Sequence, residues 1–198
     1  QSILYHCHPP TRIKRAENLG STRVEYAEYG ALRNRLFRSK DVPQGGDPVS
    51  GHHALMGNAD ITLAVARPTQ SMEYFYRNGE GHELFFVHRG EGTLHSQFGK
   101  LLFGPGDYVN VPIGTLWRME LRGGDHRLLV FESPNELEPP KRYRNEYGQL
   151  LEHSPYCERD FRLPSELETH DTMGDFEVRV KARGDLHRHI LDHHPFDV

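Results

Sequence analysis

The sequence predicts an all-β fold, a barrel or sandwich of short strands, and three observations carry that prediction. Between residues 60 and 132, apolar alternation recurs in segments of five to seven residues, each bounded by glycine or proline. The stretch 78–117, NGEGHELFFVHRGEGTLHSQFGKLLFGPGDYVNVPIGTLW, writes two strand-turn-strand units in glycine. No segment sustains a helical apolar stripe, while Gly 19 and Pro 13 supply frequent turns.

In chain order, residues 2–10 (SILYHCHPP) end in a double proline and read as an extended edge. On a strand, His6 and His8 would share a face and could begin a metal site, but no third ligand can be named from the sequence. Residues 24–39 mix aromatic and charged side chains around Gly30 and read as two short strands. The run 43–51, PQGGDPVSG, is a loop. His52 and His53 follow it, point to opposite faces of any strand and read as surface histidines.

Strands are expected at 60–66 (DITLAVA) and 72–77 (MEYFYR). A third, 83–88 (ELFFVH), turns Glu83, Phe85 and Val87 inward and His82 and His88 outward. Gly90 and Gly92 bracket a turn before residues 93–98. A second turn at 104–107 (GPGD) precedes a strand over 108–112. Two more strands, 116–121 and 126–132, are divided at Gly123-Gly124. Residues 133–143, with three prolines, leave the strand pattern. A small hairpin about Tyr147-Gly148, one helical turn at 164–169 with Ser165 as cap and Glu168 three residues on, and a strand at 176–181 complete the reading.

Residues 187–194, HRHILDHH, are the most histidine-dense stretch. On a strand His187 and His189 share a face, and His193 would bring a third imidazole within reach of iron or zinc. No carboxylate motif fixes such a site, and a polar strand leading into a linker is the simpler expectation. No serine nucleophile elbow, phosphate loop or zinc-protease helix occurs.

Composition narrows the function classes. A formal charge of −4 with 24 Lys and Arg spread along the chain gives no footprint for nucleic acid or anionic lipid. Cys7 and Cys157 are too few and too far apart for a disulfide framework or thiolate zinc site, which fits a reducing cytoplasm. No apolar run approaches the length of a membrane span. The chain opens at Gln1 without an initiator methionine and stops just after Pro195-Phe196, so it reads as a piece of a longer product.

The 78–117 stretch resembles a cupin core, a double-stranded β-helix (jelly roll), here with N-terminal strands and a C-terminal extension. Glu83 is followed after six residues by Gly90, and Gly106 after five by Pro112, with Gly114 beyond, as the scaffold of both cupin blocks requires. The histidine slots hold Tyr76 and Asn78, or Arg77 and Gly79 at the shorter spacing, and Trp117. No frame gives three imidazoles. Residues 1–135 are therefore read as N-terminal strands plus a degenerate cupin barrel, and 136–198 as an extension.

The segments LYHCHPPT (4–11), VARPTQSMEYFYRNGEGHELFFVHRGEG (65–92), FGPGDYVNVPIGTLWRME (103–120) and HHPFDV (193–198) resemble the N-terminal part of homogentisate 1,2-dioxygenases of the bacterial type. That resemblance implies an enzyme that opens the ring of a small aromatic acid with O2 at mononuclear Fe(II), yielding maleylacetoacetate in tyrosine and phenylalanine catabolism. It also implies a cytoplasmic homo-oligomer, trimer or hexamer. The resemblance implies that the extension 136–198 leads to a second, absent cupin that holds the family's iron ligands, so no catalytic, cofactor-binding or metal-binding residue is carried over onto this chain. Glu83 is expected to be paired or reached by water, because an unpaired buried carboxylate is costly. The competing expectation is a metal-free cupin that binds a small molecule or a partner without catalysis.

Overall fold

Two long bent strands organise the molecule, a computed structural model describing residues 4–27, 33–164 and 166–198. In chain order the strands are β1 (Ile13–Ser21), β2 (His52–Gly57), β3 (Thr62–Ala66), β4 (Phe75–Asn78), β5 (His82–Ser96), β6 (Gly99–Phe103), β7 (Tyr108–Val111), β8 (Leu116–Ser133), β9 (Met173–Ala182) and β10 (Asp185–His193). Among the described residues the only helical elements are three single 3-10 turns, and none is long and apolar enough to cross a membrane.

Strands β5 and β8 pair antiparallel from His82↔Ser133 to Ser96↔Trp117. One half of the pair carries β7 on β5 and β3 with β2 on β8. The other half carries β6 on β5 and β4 on β8. The two long strands thus pass through both layers and close a double-stranded β-helix. The sheet then runs outward from β4 through β9 and β10 to β1.

The turns expected at Gly90–Gly92 and at Gly123–Gly124 do not form. Both are bends inside continuous strands, marked by register shifts at Val87/Arg89 and Arg89/Glu91. Gly90 has φ +87°, and a Cβ there would stand 2.2 Å from the ring of buried His126. His126 Nε2 in turn lies 3.0 Å from the Arg122 carbonyl oxygen and fills the corner. Glycine therefore marks a bulge where a long strand changes layer, a role that sequence cannot separate from a turn.

Parity along β5 follows the expectation: Glu83, Phe85 and Val87 are buried, while His82 is half-buried and His88 exposed. The interior cluster gathers Phe85, Val87, Tyr76, Trp117, Met119, Leu128 and Val130 among others. Each such aromatic or aliphatic side chain contributes roughly 1.5–3 kcal/mol of burial.

Other expectations fail at the N-terminal end. Residues 24–27 and 33–38 form no strand, and Gly30, at the middle of the two strands expected there, lies outside the described residues. Residues 4–10 form no edge strand either, a bend falling at Cys7 and His8. The strand that does form, β1, is exposed along its whole length, so no buried face imprints an alternation on its sequence. The hairpin about Tyr147-Gly148 is present as a single bridge, Arg144↔Leu150. No helical turn appears among the described residues of 164–169, and Ser165, the expected cap, lies outside them.

After residues 134–172, whose described residues hold two 3-10 turns and one bridge, the chain returns to the sheet. β9 pairs parallel with β4, Phe75↔Val178 through Asn78↔Lys181. A two-residue turn at Arg183-Gly184, both with positive φ, folds β10 back on β9. Phe75, Leu116, Val178 and Phe196 form a second apolar cluster beneath this extension.

Candidate functional site

Two places gather groups capable of chemistry. The first is the barrel interior. Glu83, carried in by β5, is 1% exposed, and Asn78 and Trp117 occupy the neighbouring histidine slots. Trp117 packs edge-on against Tyr76 (ring centroids 5.4 Å) and Phe85 (5.5 Å). Asn78 Oδ1 accepts the backbone N–H groups of Glu80 (2.9 Å) and Gly81 (3.0 Å), so its amide caps the turn into β5. Aromatic rings and a turn-capping amide therefore fill the positions where imidazoles would stand.

Burial pushes Glu83 up to about 8, and the Glu132 carboxylate across the ladder adds to the shift. The Asn78 amide, the Lys181 ammonium and the Trp117 indole oppose it. The Asn78 and Trp117 approaches fall short of good hydrogen-bond geometry, and Glu83 Oε2, Asn78 Nδ2 and Trp117 Nε1 are left without a partner among the described residues. A carboxyl so placed is mostly protonated at neutral pH. Glu132 is paired with Lys181 at 2.5 Å.

His52 departs from the surface reading. As a residue it is half-buried, but its Nε2 is wholly enclosed and has no partner among the described residues, and its ring lies 6.3 Å from Phe85. Desolvation holds it down to about 4, so it is neutral at physiological pH. His53 is exposed as expected.

An iron(II) centre for oxygen activation needs imidazole and carboxylate donors with open positions beside them. The cupin slots offer one carboxyl, protonated by its surroundings, and two packed aromatics. Among the described residues, no grouping of three potential ligands forms in the barrel. The interior does not fit the iron.

The second place lies where the segment before β1 meets the segment after β10. Asp197 is 2% exposed. Its Oδ1 lies 2.7 Å from His6 Nδ1, and its Oδ2 accepts the His8 backbone N–H at 2.8 Å and lies 3.1 Å from His8 Nδ1. His193 stacks on His8 with ring centroids 4.3 Å apart and places Nε2 3.9 Å from Asp197 Oδ2. The His193 Nδ1 is 3.0 Å from Asp192 Oδ1. Burial opposes ionisation of Asp197, but the His6 and His8 contacts outweigh it and hold its carboxyl below the usual range.

Of the histidines singled out in the sequence, His6, His8 and His193 meet here. His187 and His189 do not join them: a register shift between Leu191 and His193 separates His193 from the regular face of β10. The expected His6–His8 ligand pair does not form; Asp197, which both face, comes from nearly the whole chain length away and groups with His8 and His193. Asp197 stood in plain view in HHPFDV, but only the folded chain shows what it faces.

A third polar group, on the surface cleft lined by Asp47, Ser50, Tyr74 and Arg179, is already saturated. Asp47 accepts from Val49 N, Ser50 N, Ser50 Oγ and Tyr74 Oη, and Arg179 stacks over the Tyr74 ring at 3.6 Å. These contacts fasten the 43–51 loop to the barrel.

The fold and its carboxylate position define a cupin-type double-stranded β-helix whose imidazole slots hold other side chains. The family described as homogentisate 1,2-dioxygenase N-terminal matches residues 4–198, and the chain belongs to it. A protein of Saccharolobus solfataricus named as a dioxygenase is 33% identical over 198 residues, covering all of this chain and 51% of the relative. A homogentisate 1,2-dioxygenase of Bradyrhizobium diazoefficiens is 31% identical over 221 residues, covering all of this chain and 46% of the relative. The chain thus spans about half the length of the curated relatives it matches.

Among solved structures, a Ralstonia eutropha protein described as a mannose-6-phosphate isomerase matches 50% of this chain and 98% of its own, at TM-score 0.43 and 18% identity. A Klebsiella pneumoniae protein with a double-stranded β-helix domain matches 52% of this chain and 91% of its own, at TM-score 0.43 and 18% identity.

Proposed function

We propose that this chain is the scaffold part of a ring-cleaving dioxygenase that converts homogentisate and O2 to maleylacetoacetate in tyrosine and phenylalanine catabolism. The observation that carries the reading is the barrel interior of a chain belonging to this family: Glu83 stands there with Tyr76, Asn78 and Trp117 in the histidine slots. The iron donors then lie in polypeptide beyond these 198 residues. Within this chain, β5 and β8 supply a rigid packed lobe, and the half-buried face of β9 and β10 supplies a surface for the remainder of the enzyme. We place the enzyme in the cytoplasm as a trimer or hexamer, a reading supported by two free cysteines and an exposed edge strand, β1.

Oxygen uptake and product absorbance with homogentisate and added Fe(II) test the proposal. The 198-residue chain alone is expected to be inactive, and a form extended to the length of its relatives to turn over homogentisate in preference to gentisate. Turnover by the 198-residue chain alone would overturn it.

A further inference from the structure

We propose that His8, His193 and Asp197 form a binding site for one zinc-class divalent cation that ties the segment before β1 to the segment after β10. The site is separate from the barrel and independent of where a dioxygenase iron is held. One candidate ligand atom from each residue lies within 4.8 Å of the others. For metal–ligand bonds of about 2.0–2.2 Å, neighbouring donors in a tetrahedral site stand about 3.4 Å apart. The separations of Asp197 Oδ2 from His8 Nδ1 (3.1 Å) and from His193 Nε2 (3.9 Å) bracket that value. Binding requires the stacked His8 and His193 rings to turn so that Nδ1 and Nε2 converge on the ion beside Asp197 Oδ2.

The surroundings favour a cation at that point. Asp192 takes the Nδ1–H of His193, so Nε2 is the ring atom that faces Asp197 Oδ2. A cation shared by the two atoms, or a proton on Nε2, would satisfy both. The Asp192–His193 pair has the form by which a carboxylate orients a ligating imidazole, and Arg12 holds Asp192 in turn at 2.9 Å. His6 takes the other oxygen of Asp197, fixing the carboxylate without occupying the candidate position. His193 and Asp197 side chains are 7% and 3% exposed and that of His8 is 14%, so the site is enclosed with one edge open for entry.

Two imidazoles and a carboxylate suit zinc, leaving a fourth position for water. A bound ion would cross-link segments separated by nearly the whole chain, so its binding free energy would appear as folding free energy.

The test strips the protein of metal, then titrates Co(II) while following the ligand-field absorption of a tetrahedral site, with Zn(II) as competitor. The wild-type protein is expected to bind one more equivalent than His8→Ala or His193→Ala, and its melting temperature to rise on adding zinc. Asp197→Asn should weaken binding at least tenfold, while His6→Ala should retain the equivalent within about threefold. Because His193 is buried, the more accessible His8→Ala, checked for fold by circular dichroism, provides the decisive arm. Equal stoichiometry and affinity in wild type and folded His8→Ala, or no zinc-dependent rise in melting temperature, would overturn the site.

Discussion

The barrel interior and the terminal clasp divide between them the groups that a mononuclear metal enzyme combines. The interior has the enclosed, apolar setting and the carboxyl Glu83, but its imidazole positions hold Asn78, Tyr76 and Trp117. The clasp has imidazoles and a carboxylate in contact, but it joins chain segments at the outer sheet, away from the barrel interior. The environments act on the two acids in opposite directions. Glu83, desolvated by burial and faced by Glu132, is held protonated, whereas Asp197, bonded by His6 and His8, is held ionised. Burial is the largest influence on both acids; it prevails at Glu83, and the hydrogen bonds from His6 and His8 overcome it at Asp197.

The sharpest way to break the comparison is to remove a packing residue from the barrel. Trp117→Ala should cost about 3–5 kcal/mol, since the indole is fully buried against Tyr76 and Phe85. Thermal melts should show a loss on the order of 10 °C for a domain of this size. If Trp117→Ala were nearly neutral, the interior would hold unused space, and the filled-barrel reading would fail.

Glu83→Gln separates the carboxyl's charge from its shape. Its folded pKa of about 8 lies above the ordinary 4.5, so the folded state binds the extra proton. Its contribution to stability is full below pH 4.5 and is lost as pH rises through about 8. His52 runs the other way: held down to about 4 from 6.5, it supports the fold above pH 6.5 and ceases to do so as pH falls toward 4. Urea melts across this range should therefore find Glu83→Gln less sensitive to alkali than wild type. The gain should be on the order of a few kcal/mol above pH 8, with little difference near 4.5. A wild-type stability that does not fall between those limits would show Glu83 to be paired and ionised.

At the clasp, Asp197→Ala removes the acceptor for the His8 backbone N–H and for two imidazoles, at an expected cost of about 1–3 kcal/mol. Amide exchange should rise in residues 4–8 while β5 and β8 keep their protection. Exchange spreading through the barrel would show that the clasp and the barrel unfold as one unit.

What the sequence disclosed follows the same division. The interior was legible because its determinants are local: the period of two placed Glu83, Phe85 and Val87 inside, and fixed spacing from Glu83 picked out Tyr76 and Asn78. Glycine misled where it bends a strand, since Gly90 and Gly123 carry the positive φ that a turn would also need. β1 left no trace because neither of its faces is buried. The clasp was half-visible: His6, His8 and His193 stood out as histidines, but their meeting depends on β10 pairing with β1 and on the shift before His193, neither of which a linear pattern encodes. His52 was misassigned because enclosure of one ring atom leaves no periodicity.

The smallest expected effect tests whether contacts at the outer sheet matter by number or by burial. Lys14 and Asp175 form an ion pair that, like the clasp, spans the chain from β1 to β9, but both side chains are at least half exposed. Water and salt screen such a pair, and holding two mobile side chains together costs entropy, so Lys14→Ala should change stability by no more than about 0.5 kcal/mol. Asp197→Ala severs links over a similar sequence separation, yet its loss should be several times larger because the carboxylate is buried and accepts from the His8 backbone N–H as well as from two imidazoles. Melts of the two variants side by side at low and high salt separate the causes: salt should erase the small Lys14 effect and leave most of the Asp197 effect. Equal losses in both variants would mean that cross-linking distant segments, rather than desolvation, sets the stability of this edge.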